Sequence, residues 1–326
     1  MSSNTKKILV PDSLGAEGFA LLRARPDIET VPYDPALGAT AFHAMLADAA
    51  GVALSFTRFG AAELAAAPAL QVVARIGVGF DAVDVPALSA RRIPLMVVGT
   101  ANSTSVAEQA VFFILALAKR VAVLDRLVRE GRWGERFAYL PEEVAGRSVL
   151  IVGFGRIGTR AAARCAAFGM RVFVHDPFVP AAAITAAGFQ PVADLDAALG
   201  EADFVSLHCP LNETTRGLFA TARLARMKRG AFLVNTARGG LIDEAALQAA
   251  LTSGHLAGAA LDVLGTEPPP REHPLLALDN VILAPHMAGV TVASVAAMAA
   301  ATARNLLSVL DGAPIRENAV DPTVFA

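Results

Sequence analysis

Short apolar runs alternate along the chain with longer alanine-rich stretches that carry apolar residues at helical spacing. The apolar runs have the length of buried strands, and the stretches between them have the length of helices. Regular alternation of this kind is typical of parallel α/β sheets. We predict a first series of strands over residues 7–10, 51–56, 72–75 and 95–98. A second series is predicted over residues 148–152, 171–175, 204–207, 232–235, 258–262 and 281–283.

Two series of strands predict an α/β protein with two doubly wound, Rossmann-like parallel sheets. A helical segment at residues 103–120 separates the series, and another at residues 292–310 follows the second. We interpret both segments as rigid connectors, because no flexible linker is evident between the series. The length of 326 residues also corresponds to about two domains.

The composition provides enough apolar residues for sizeable hydrophobic cores and argues against some classes of binding partner. Hydrophobic residues make up 54% of the chain and charged residues 18%, with a formal net charge of −2. A near-neutral chain carries no electrostatic footprint for nucleic acid or an anionic membrane. The longest uninterrupted apolar runs, such as residues 110–118, are shorter than the ~20 residues that span a bilayer. The first residues also lack the apolar core of a signal peptide. We therefore expect a cytoplasmic protein with no nucleic-acid or membrane partner.

The two cysteines, Cys165 and Cys209, are far apart and form no CxxC or metal-ligand pattern. We interpret them as reduced thiols of a cytosolic protein. No cluster of histidine, cysteine and carboxylate residues is visible in the sequence, so we predict no metal site.

A glycine motif follows the strand predicted at residues 148–152. Gly153, Gly155 and Gly158 fit GxGxxG, and Asp176 ends the next predicted strand. In dinucleotide-binding folds the glycines permit a tight turn, an approach to the pyrophosphate and close helix packing, while the acid binds the ribose. A carboxylate here would repel a 2′-phosphate, and residues 176–180 contain no arginine or lysine. The motif predicts a site for NAD in preference to NADP.

A second glycine motif follows the strand predicted at residues 72–75. Gly77, Gly79 and Ala82 fit the looser GxGxxA pattern, but the next strand does not end in a carboxylate. We interpret this loop as an anion nest, in which backbone N–H groups and the nearby Arg75 bind a substrate carboxylate. On local sequence alone, an ordinary strand-to-helix turn explains the motif equally well.

Three polar residues, Arg238, Glu267 and His286, each follow a strand of the second series. Taken singly, they are explained as a solvated charge, a loop carboxylate and a structural histidine. Hydride transfer to a keto acid needs a cation for the substrate, a general acid–base and a partner that orients the acid–base. Because ligands of open α/β sheets bind at the carboxyl ends of the strands, we predict that the three residues converge in one catalytic site.

Together these motifs resemble the D-isomer-specific 2-hydroxyacid dehydrogenase family, which includes phosphoglycerate dehydrogenases, over nearly the whole chain. Besides the two glycine motifs, the resemblance is carried by residues 105–108, 208–211, 235–247, 261–268 and 285–286. It implies an enzyme that transfers a hydride between NAD(H) and C2 of a small D-2-hydroxy acid or 2-keto acid. His286 would be the acid–base, Glu267 its partner and Arg238 the carboxylate clamp. The backbone of Val78 and Gly79 would hold the substrate carboxylate.

The resemblance also implies further cofactor contacts and an arrangement of domains. Asp262 would meet the nicotinamide amide. The other implied cofactor-lining positions are Thr104, Arg156, Ile157, Cys209, Pro210, Thr215 and Ala237. Residues 1–100 and 292–326 would form a flavodoxin-like substrate domain into which the NAD domain, residues 101–291, is inserted. Family members are usually homodimers paired through the NAD domain. Trp133 lies in the segment that often reaches across, although a core or rim aromatic is an equal alternative.

The sequence departs from the pattern of phosphoglycerate dehydrogenases in two ways that concern its substrate and its regulation. The sequence ends at Ala326, so we expect a short form without a C-terminal regulatory domain. Leu54 stands before Ser55 where some phosphoglycerate dehydrogenases carry an arginine for the phosphate, which leaves Arg58 and Arg75 as anion partners. Candidate substrates are therefore 3-phosphoglycerate, hydroxypyruvate, glyoxylate and related acids.

Two other functions stay open. One is a formate dehydrogenase-like enzyme, which is disfavoured because that group carries glutamine at the position of Glu267. The other is a non-catalytic NAD(H)-sensing binding protein of the same fold, which would not need the catalytic residues.

Overall fold

The computed structural model describes residues 5–326, and within them the chain divides into two compact units. Unit 1 comprises the residues up to Asn102 together with Val290–Ala326, and unit 2 comprises Ser103–Gly289. The strands are β1 (Lys6–Pro11), β2 (Ile28–Tyr33), β3 (Ala49–Leu54), β4 (Val72–Arg75), β5 (Leu95–Met96), β6 (Ser148–Val152), β7 (Arg171–His175), β8 (Gln190–Pro191), β9 (Phe204–Leu207), β10 (Phe232–Asn235), β11 (Gly258–Leu261) and β12 (Val281–Leu283).

Helices follow most of these strands. The α-helices are α1 (Ala16–Arg23), α2 (Ala39–Leu46), α3 (Ala61–Ala66), α4 (Val85–Ala90), α5 (Ser103–Ala118), α6 (Val121–Arg129), α7 (Gly158–Ala167), α8 (Ala181–Ala186), α9 (Leu195–Leu199), α10 (Thr221–Arg226), α11 (Glu244–Thr252) and α12 (Val292–Leu310). Short 3₁₀ helices lie at Trp133–Ala138, Gly239–Leu241, Pro274–Ala277, Arg316–Asn318 and Pro322–Phe325.

Unit 1 is built on a parallel sheet with the strand order β2–β1–β3–β4–β5. This order is that of flavodoxin-like folds. Strands β3 and β4 are buried throughout, because helices cover both faces of the sheet. One apolar layer joins the sheet to α1 and α12, and the other joins it to α2, α3 and α4. Leu54 and Arg75 are register partners, so the loops after β3 and β4 leave the sheet side by side.

Unit 2 is built on a parallel sheet with the strand order β12–β11–β10–β9–β6–β7–β8. The chain order runs outward from β6 in both directions, so the switch point of the sheet lies between β6 and β9, where α/β folds bind their ligands. One core layer packs α5 and α7 on the sheet, and the other packs α9, α10 and α11. The carboxyl ends of β10, β11 and β12 are neighbours at one edge of the sheet.

The predicted fold class is confirmed, since both sheets are parallel and doubly wound. The prediction missed β2 and β8, and both lie at the edges of their sheets. β2 carries Pro32, which edge strands tolerate, and only two of its six residues are buried, so it lacks a continuous apolar run. β5 is also shorter than predicted, because the chain stops pairing after Met96.

Helix α12 is apolar and, at 19 residues, long enough to cross a membrane by length and composition alone. The helix has the bounds of the predicted helical segment, but its sequence does not read as a membrane span because polar residues interrupt the apolar run. In the structure its inward face, which includes Ala299, Ala303 and Leu306, packs in the core of unit 1. The buried Asn305 donates from Nδ2 to the carbonyl of Val97 at 2.9 Å. These contacts are those of a core helix.

Candidate active site

The loop between β6 and α7 has the geometry of a dinucleotide cradle. Gly153 has a φ of +99°, and a Cβ there would lie 2.7 Å from the backbone nitrogen of Cys209. A Cβ on Gly158 would lie 1.9 Å from the carbonyl oxygen of Gly153, so α7 can begin here only with glycine. A Cβ on Gly155 would meet no atom within 4 Å. The middle glycine therefore faces open space at the start of a helix, where a pyrophosphate can approach the backbone.

Asp176, at the end of β7, holds this loop in place. One carboxylate oxygen accepts the backbone N–H of Phe154 at 2.8 Å, and the other accepts that of Phe178 at 2.9 Å. The acid that the sequence assigned to the cofactor ribose thus also fixes the glycine loop. The open glycine, the helix start and this strand-end carboxylate fit a bound dinucleotide.

The remaining cofactor positions predicted from the sequence lie on several elements of unit 2. Cys209 and Pro210 follow β9, and Thr215 donates its hydroxyl to the carbonyl of Pro210 at 2.6 Å. Burial raises the pKa of the Cys209 thiol to about 11, so the thiol stays protonated at neutral pH. Thr104 lies in the first turn of α5, which packs on α7. Arg156 and Ile157 complete the glycine loop, and Ala237 follows β10.

His286 and Glu267 form a direct pair. Nδ1 of His286 lies 2.7 Å from Oε2 of Glu267, and both side chains are a little over one-third exposed. The other carboxylate oxygen of Glu267 accepts the backbone N–H of Leu264 at 2.9 Å. A pocket of about 390 Å³ adjoins the pair and is otherwise lined mainly by prolines and leucines. The imidazole is therefore oriented by a carboxylate that is itself held by the backbone.

Arg238 lies in a loop that touches the loop of Glu267. Its carbonyl oxygen accepts Nδ2 of Asn235 at 2.8 Å, and its guanidinium donates to the carbonyl of Ala237 at 2.6 Å. A Cβ on the next residue, Gly239, would lie 2.0 Å from the carbonyl carbon of Leu264. Glycine at this position lets the two loop backbones meet. The structure thus brings the loops of all three predicted catalytic residues to one edge of the sheet.

Sequence reasoning missed the residues that support these loops. Glu244, at the start of α11, accepts the backbone N–H of Gly265 at 2.7 Å and pairs with Nε2 of His273 at 3.2 Å. Asn235 is fully buried, and its Oδ1 accepts the N–H of Ala237 at 2.9 Å. An asparagine that ends an apolar strand was a local signal for such a role. Glu244 gave no such signal, since its partners are distant in sequence.

In unit 1, the second glycine motif forms a loop that Arg75 anchors. Gly77 has a φ of +142°, which favours glycine. Arg75 is 8% exposed, and its guanidinium donates to the carbonyl oxygens of Gly79 at 2.8 Å and Leu54 at 3.1 Å. Val78 and Gly79 lie in the half-buried part of this loop. The side chain that the sequence proposed for anion binding thus also bonds the backbone of its own loop and of the end of β3.

Comparison with known proteins agrees with the family that the sequence motifs resemble. Residues 111–288 match the family described as D-isomer specific 2-hydroxyacid dehydrogenase, NAD binding domain. The chain is 38% identical over 270 residues to D-3-phosphoglycerate dehydrogenase of Archaeoglobus fulgidus, covering 83% of this chain and 51% of that protein. It is 39% identical over 250 residues to glyoxylate reductase of Thermofilum pendens, covering 76% of this chain and 74% of the relative.

A solved structure of similar fold is the TT0316 protein of Thermus thermophilus. It shares 35% sequence identity with a TM-score of 0.86, covering 97% of this chain and all of the other. The chain spans about half the length of the D-3-phosphoglycerate dehydrogenases that it matches. The cofactor of the matched domain is NAD, in agreement with the sequence prediction.

His208, next to the cofactor loop, is held in its neutral form. Its Nε2 lies 2.9 Å from the hydroxyl of Ser206, and its Nδ1 is buried with no hydrogen-bond partner among residues 5–326. Burial lowers the pKa of His208 to about 4. An imidazolium here would lose part of its hydration, which is the cause of the lowered pKa.

Alanine substitutions should separate the roles of the glycines. We expect Gly155→Ala to change stability by less than about 0.5 kcal/mol, because its methyl group meets no protein atom. NADH affinity should fall about tenfold or more, since the methyl would stand between the backbone and the pyrophosphate. Gly158→Ala should lower both stability and affinity. Thermal unfolding and NADH fluorescence titration measure the two effects. Unchanged affinity of Gly155→Ala would show that the pyrophosphate lies elsewhere.

Acid should destabilise the fold through His208. Between pH 6.5 and 4 the unfolded chain binds a proton on this residue that the folded chain does not, so stability falls as pH decreases. From pH 8 to pH 5 the loss should be about 2 kcal/mol. His208→Gln should lack this part of the pH dependence. Urea unfolding of both proteins at the two pH values measures it, and equal losses would contradict the assignment.

Proposed function

Because the chain belongs to the D-isomer specific 2-hydroxyacid dehydrogenase family, we propose that it is an NAD-dependent dehydrogenase of small D-2-hydroxy acids. The proposed reaction moves a hydride between NAD(H) and C2 of the hydroxy acid or its 2-keto acid. The observation that carries the proposal is the His286–Glu267 pair, 2.7 Å apart, at the carboxyl edge of a sheet that bears a dinucleotide loop. A general acid–base oriented by a carboxylate is what exchange of the hydroxyl proton requires.

In this proposal His286 exchanges the proton with the substrate oxygen. NADH, when bound, supplies the hydride. Nδ1 of His286 faces Glu267, so Nε2 is the nitrogen that donates to the carbonyl oxygen during reduction and accepts the hydroxyl proton during oxidation. The carboxylate of Glu267 fixes the ring orientation and stabilises the imidazolium form. The backbone N–H of Leu264 donates to the other oxygen of Glu267 and so holds this carboxylate in place.

Arg238 is the proposed clamp for the substrate carboxylate and carbonyl. A guanidinium presents parallel donors that match a carboxylate. The buried Asn235 holds the Arg238 carbonyl, so the side chain projects from a fixed backbone. We also assign the backbone N–H groups of Val78 and Gly79 to the substrate carboxylate, with Arg75 as the residue that shapes their loop.

For the cofactor we propose a preference for NADH over NADPH. The Asp176 carboxylate ends β7, and residues 176–180 offer no cation to a 2′-phosphate. Repulsion between the carboxylate and that phosphate disfavours NADPH. The proposal is tested by kcat/KM for both cofactors, and an NADPH preference would contradict it.

For the substrate we propose hydroxypyruvate, glyoxylate or phosphohydroxypyruvate and their hydroxy acids. Leu54 is buried and offers no cation at the position where some relatives bind a phosphate. Arg75, which donates to two backbone carbonyls, and the exposed Arg58 are the cations that we propose for a phosphate. The alternative function, a non-catalytic NAD(H)-sensing protein, is supported by the dinucleotide loop but leaves the His286–Glu267 pair without a role.

We propose a homodimer that pairs through unit 2. Trp133, Phe137 and Leu140 are each more than 60% exposed and line a pocket of about 320 Å³ together with residues of α6. Aromatic and aliphatic side chains exposed together favour burial against a partner. Sedimentation equilibrium tests this, and a wild-type monomer at micromolar concentration would overturn it.

A cytoplasmic location is proposed on the two free thiols of Cys165 and Cys209.

Turnover should depend on the shape of the Arg238 side chain. We expect NADH oxidation with at least one of the proposed keto acids. Arg238→Ala should lose most of the kcat/KM while NADH affinity is kept, and Arg238→Lys should also be poor, because a single ammonium cannot make the paired contact. Steady-state rates across a keto-acid panel measure this. Absence of turnover by the wild type would favour the NAD(H)-sensing alternative. Wild-type rates for Arg238→Lys would contradict the proposed role of Arg238 as the carboxylate clamp.

The rate of reduction should depend on the charge of Glu267. Glu267→Gln keeps the shape of the side chain but removes the charge that faces Nδ1 of His286, so kcat for reduction should fall, by less than in His286→Ala. His286→Ala should lose about 10²–10⁴ in kcat. The measurement is the steady-state kcat of both variants with a keto acid. A wild-type kcat in Glu267→Gln would contradict the pairing argument.

A further inference from the structure

Three backbone N–H groups of the turn that carries His286 are bonded to one residue, Asp262, which directly follows β11. The backbone N–H of His286 donates to the Asp262 carbonyl at 2.8 Å. The N–H of Met287 donates to Oδ1 at 2.8 Å, and the N–H of Ala288 donates to Oδ2 at 2.9 Å. Consecutive donors of the turn therefore converge on the main chain and the carboxylate of the same residue.

The turn needs this support because His286 has a left-handed backbone. Its φ is +56°, a region that residues with a side chain rarely occupy. Such a conformation persists where neighbouring contacts enforce it, and it is concentrated at functional sites. The bonds to Asp262 are the contacts that enforce it here.

Asp262 is itself fixed from below. It is 2% exposed, and its backbone N–H donates to the carbonyl of Asn235 at 2.9 Å. Asn235 in turn holds the Arg238 loop through both ends of its amide. The proposed acid–base and the proposed clamp therefore rest on two adjacent buried residues at the ends of β10 and β11.

We propose that Asp262 is a positioning residue for the acid–base, in that its carboxylate fixes the left-handed turn and thereby the angle at which His286 meets Glu267 and the substrate. This rests on the proposed function, in which His286 is the acid–base. The role is additional to any contact with the nicotinamide amide, because each carboxylate oxygen accepts one N–H, from Met287 or Ala288, and keeps a further lone pair.

The first test is Asp262→Asn. An asparagine has one acceptor oxygen, so its NH₂ group would face one of the two backbone N–H groups and loosen the turn. We expect kcat for keto-acid reduction to fall about 10- to 100-fold, within the range available to a general acid–base. NADH affinity and the KM of the keto acid should change less than about threefold. A kcat within twofold of wild type would overturn the proposal.

A cofactor analogue separates this role from an amide contact. The reduced 3-acetylpyridine analogue of NADH carries a methyl ketone in place of the amide and so has no amide N–H to give. If Asp262 acts through His286, the substitution should lower kcat by the same factor with NADH and with the analogue. If Asp262 acts through the amide, the analogue should be insensitive to the substitution, and the proposal is overturned.

Asp203→Asn is the matched control. Asp203 is 5% exposed and accepts the backbone N–H of Ser148 at 2.8 Å, but it precedes β9 at the opposite edge of the same sheet. It should lower the melting temperature about as much as Asp262→Asn and leave kcat unchanged. If Asp262→Asn does not fold, Asp262→Glu keeps the charge and moves the acceptors, and the same loss of kcat is expected. Equal kcat losses in Asp203→Asn would show a general structural effect and overturn the assignment.

A spectroscopic readout keeps this inference distinguishable from the proposed function. The proton shared by His286 and Glu267 should give a downfield NMR signal, assigned by its loss in His286→Gln. It should shift or vanish in Asp262→Asn and persist in Asp203→Asn, whether or not a keto acid is turned over. Wild-type inactivity would end the proposed function alone, whereas an unmoved signal in Asp262→Asn would end the positioning role alone.

Discussion

A parallel sheet ends in backbone N–H groups that lose their strand partners, and each of them needs a new acceptor where it is buried. At the carboxyl edge of unit 2 the acceptors are short polar side chains. The pairs are Phe154 with Asp176, Ala237 with Asn235, Leu264 with Glu267, Gly265 with Glu244, and Met287 and Ala288 with Asp262. The same side chains fix the loops that carry the cofactor cradle and the polar residues of the site. The side chains that satisfy the backbone N–H groups at the sheet edge are therefore the same ones that hold the loops of the site.

The parts of the site that sequence reasoning found are those with a local or ordered signature. The three glycines lie within six residues of a strand end. Arg238, Glu267 and His286 follow successive strands, so topology alone brings their loops to one edge. The supporting residues depend on bonds between distant segments, such as that between Glu244 and Gly265, which spacing does not reveal. Burial is equally hidden: spacing does not reveal that Arg75 is 8% exposed or that its guanidinium donates to Gly79 of its own loop.

The fold was predictable to a similar depth and for a similar reason. Central strands such as β3, β4 and β6 are buried throughout and appear as continuous apolar runs. Edge strands are half exposed, so β2 and β8 lack that run and escape notice. Helix α12 shows the reverse difficulty, because its apolar content is that of a membrane segment while its packing is that of a core helix. The apolar pattern of the sequence therefore predicts a helix or strand, but which side of it is buried depends on the elements that pack against it.

The contact of Gly239 with the backbone of Leu264 has a consequence for how this site can diversify. No side chain fits at residue 239, since even a methyl carbon would overlap the neighbouring main chain. The loops of Arg238 and Glu267 are thus locked to each other and cannot be reshaped independently. Evolution or a directed library that seeks a new substrate range has to leave this junction intact and vary other positions of the two loops.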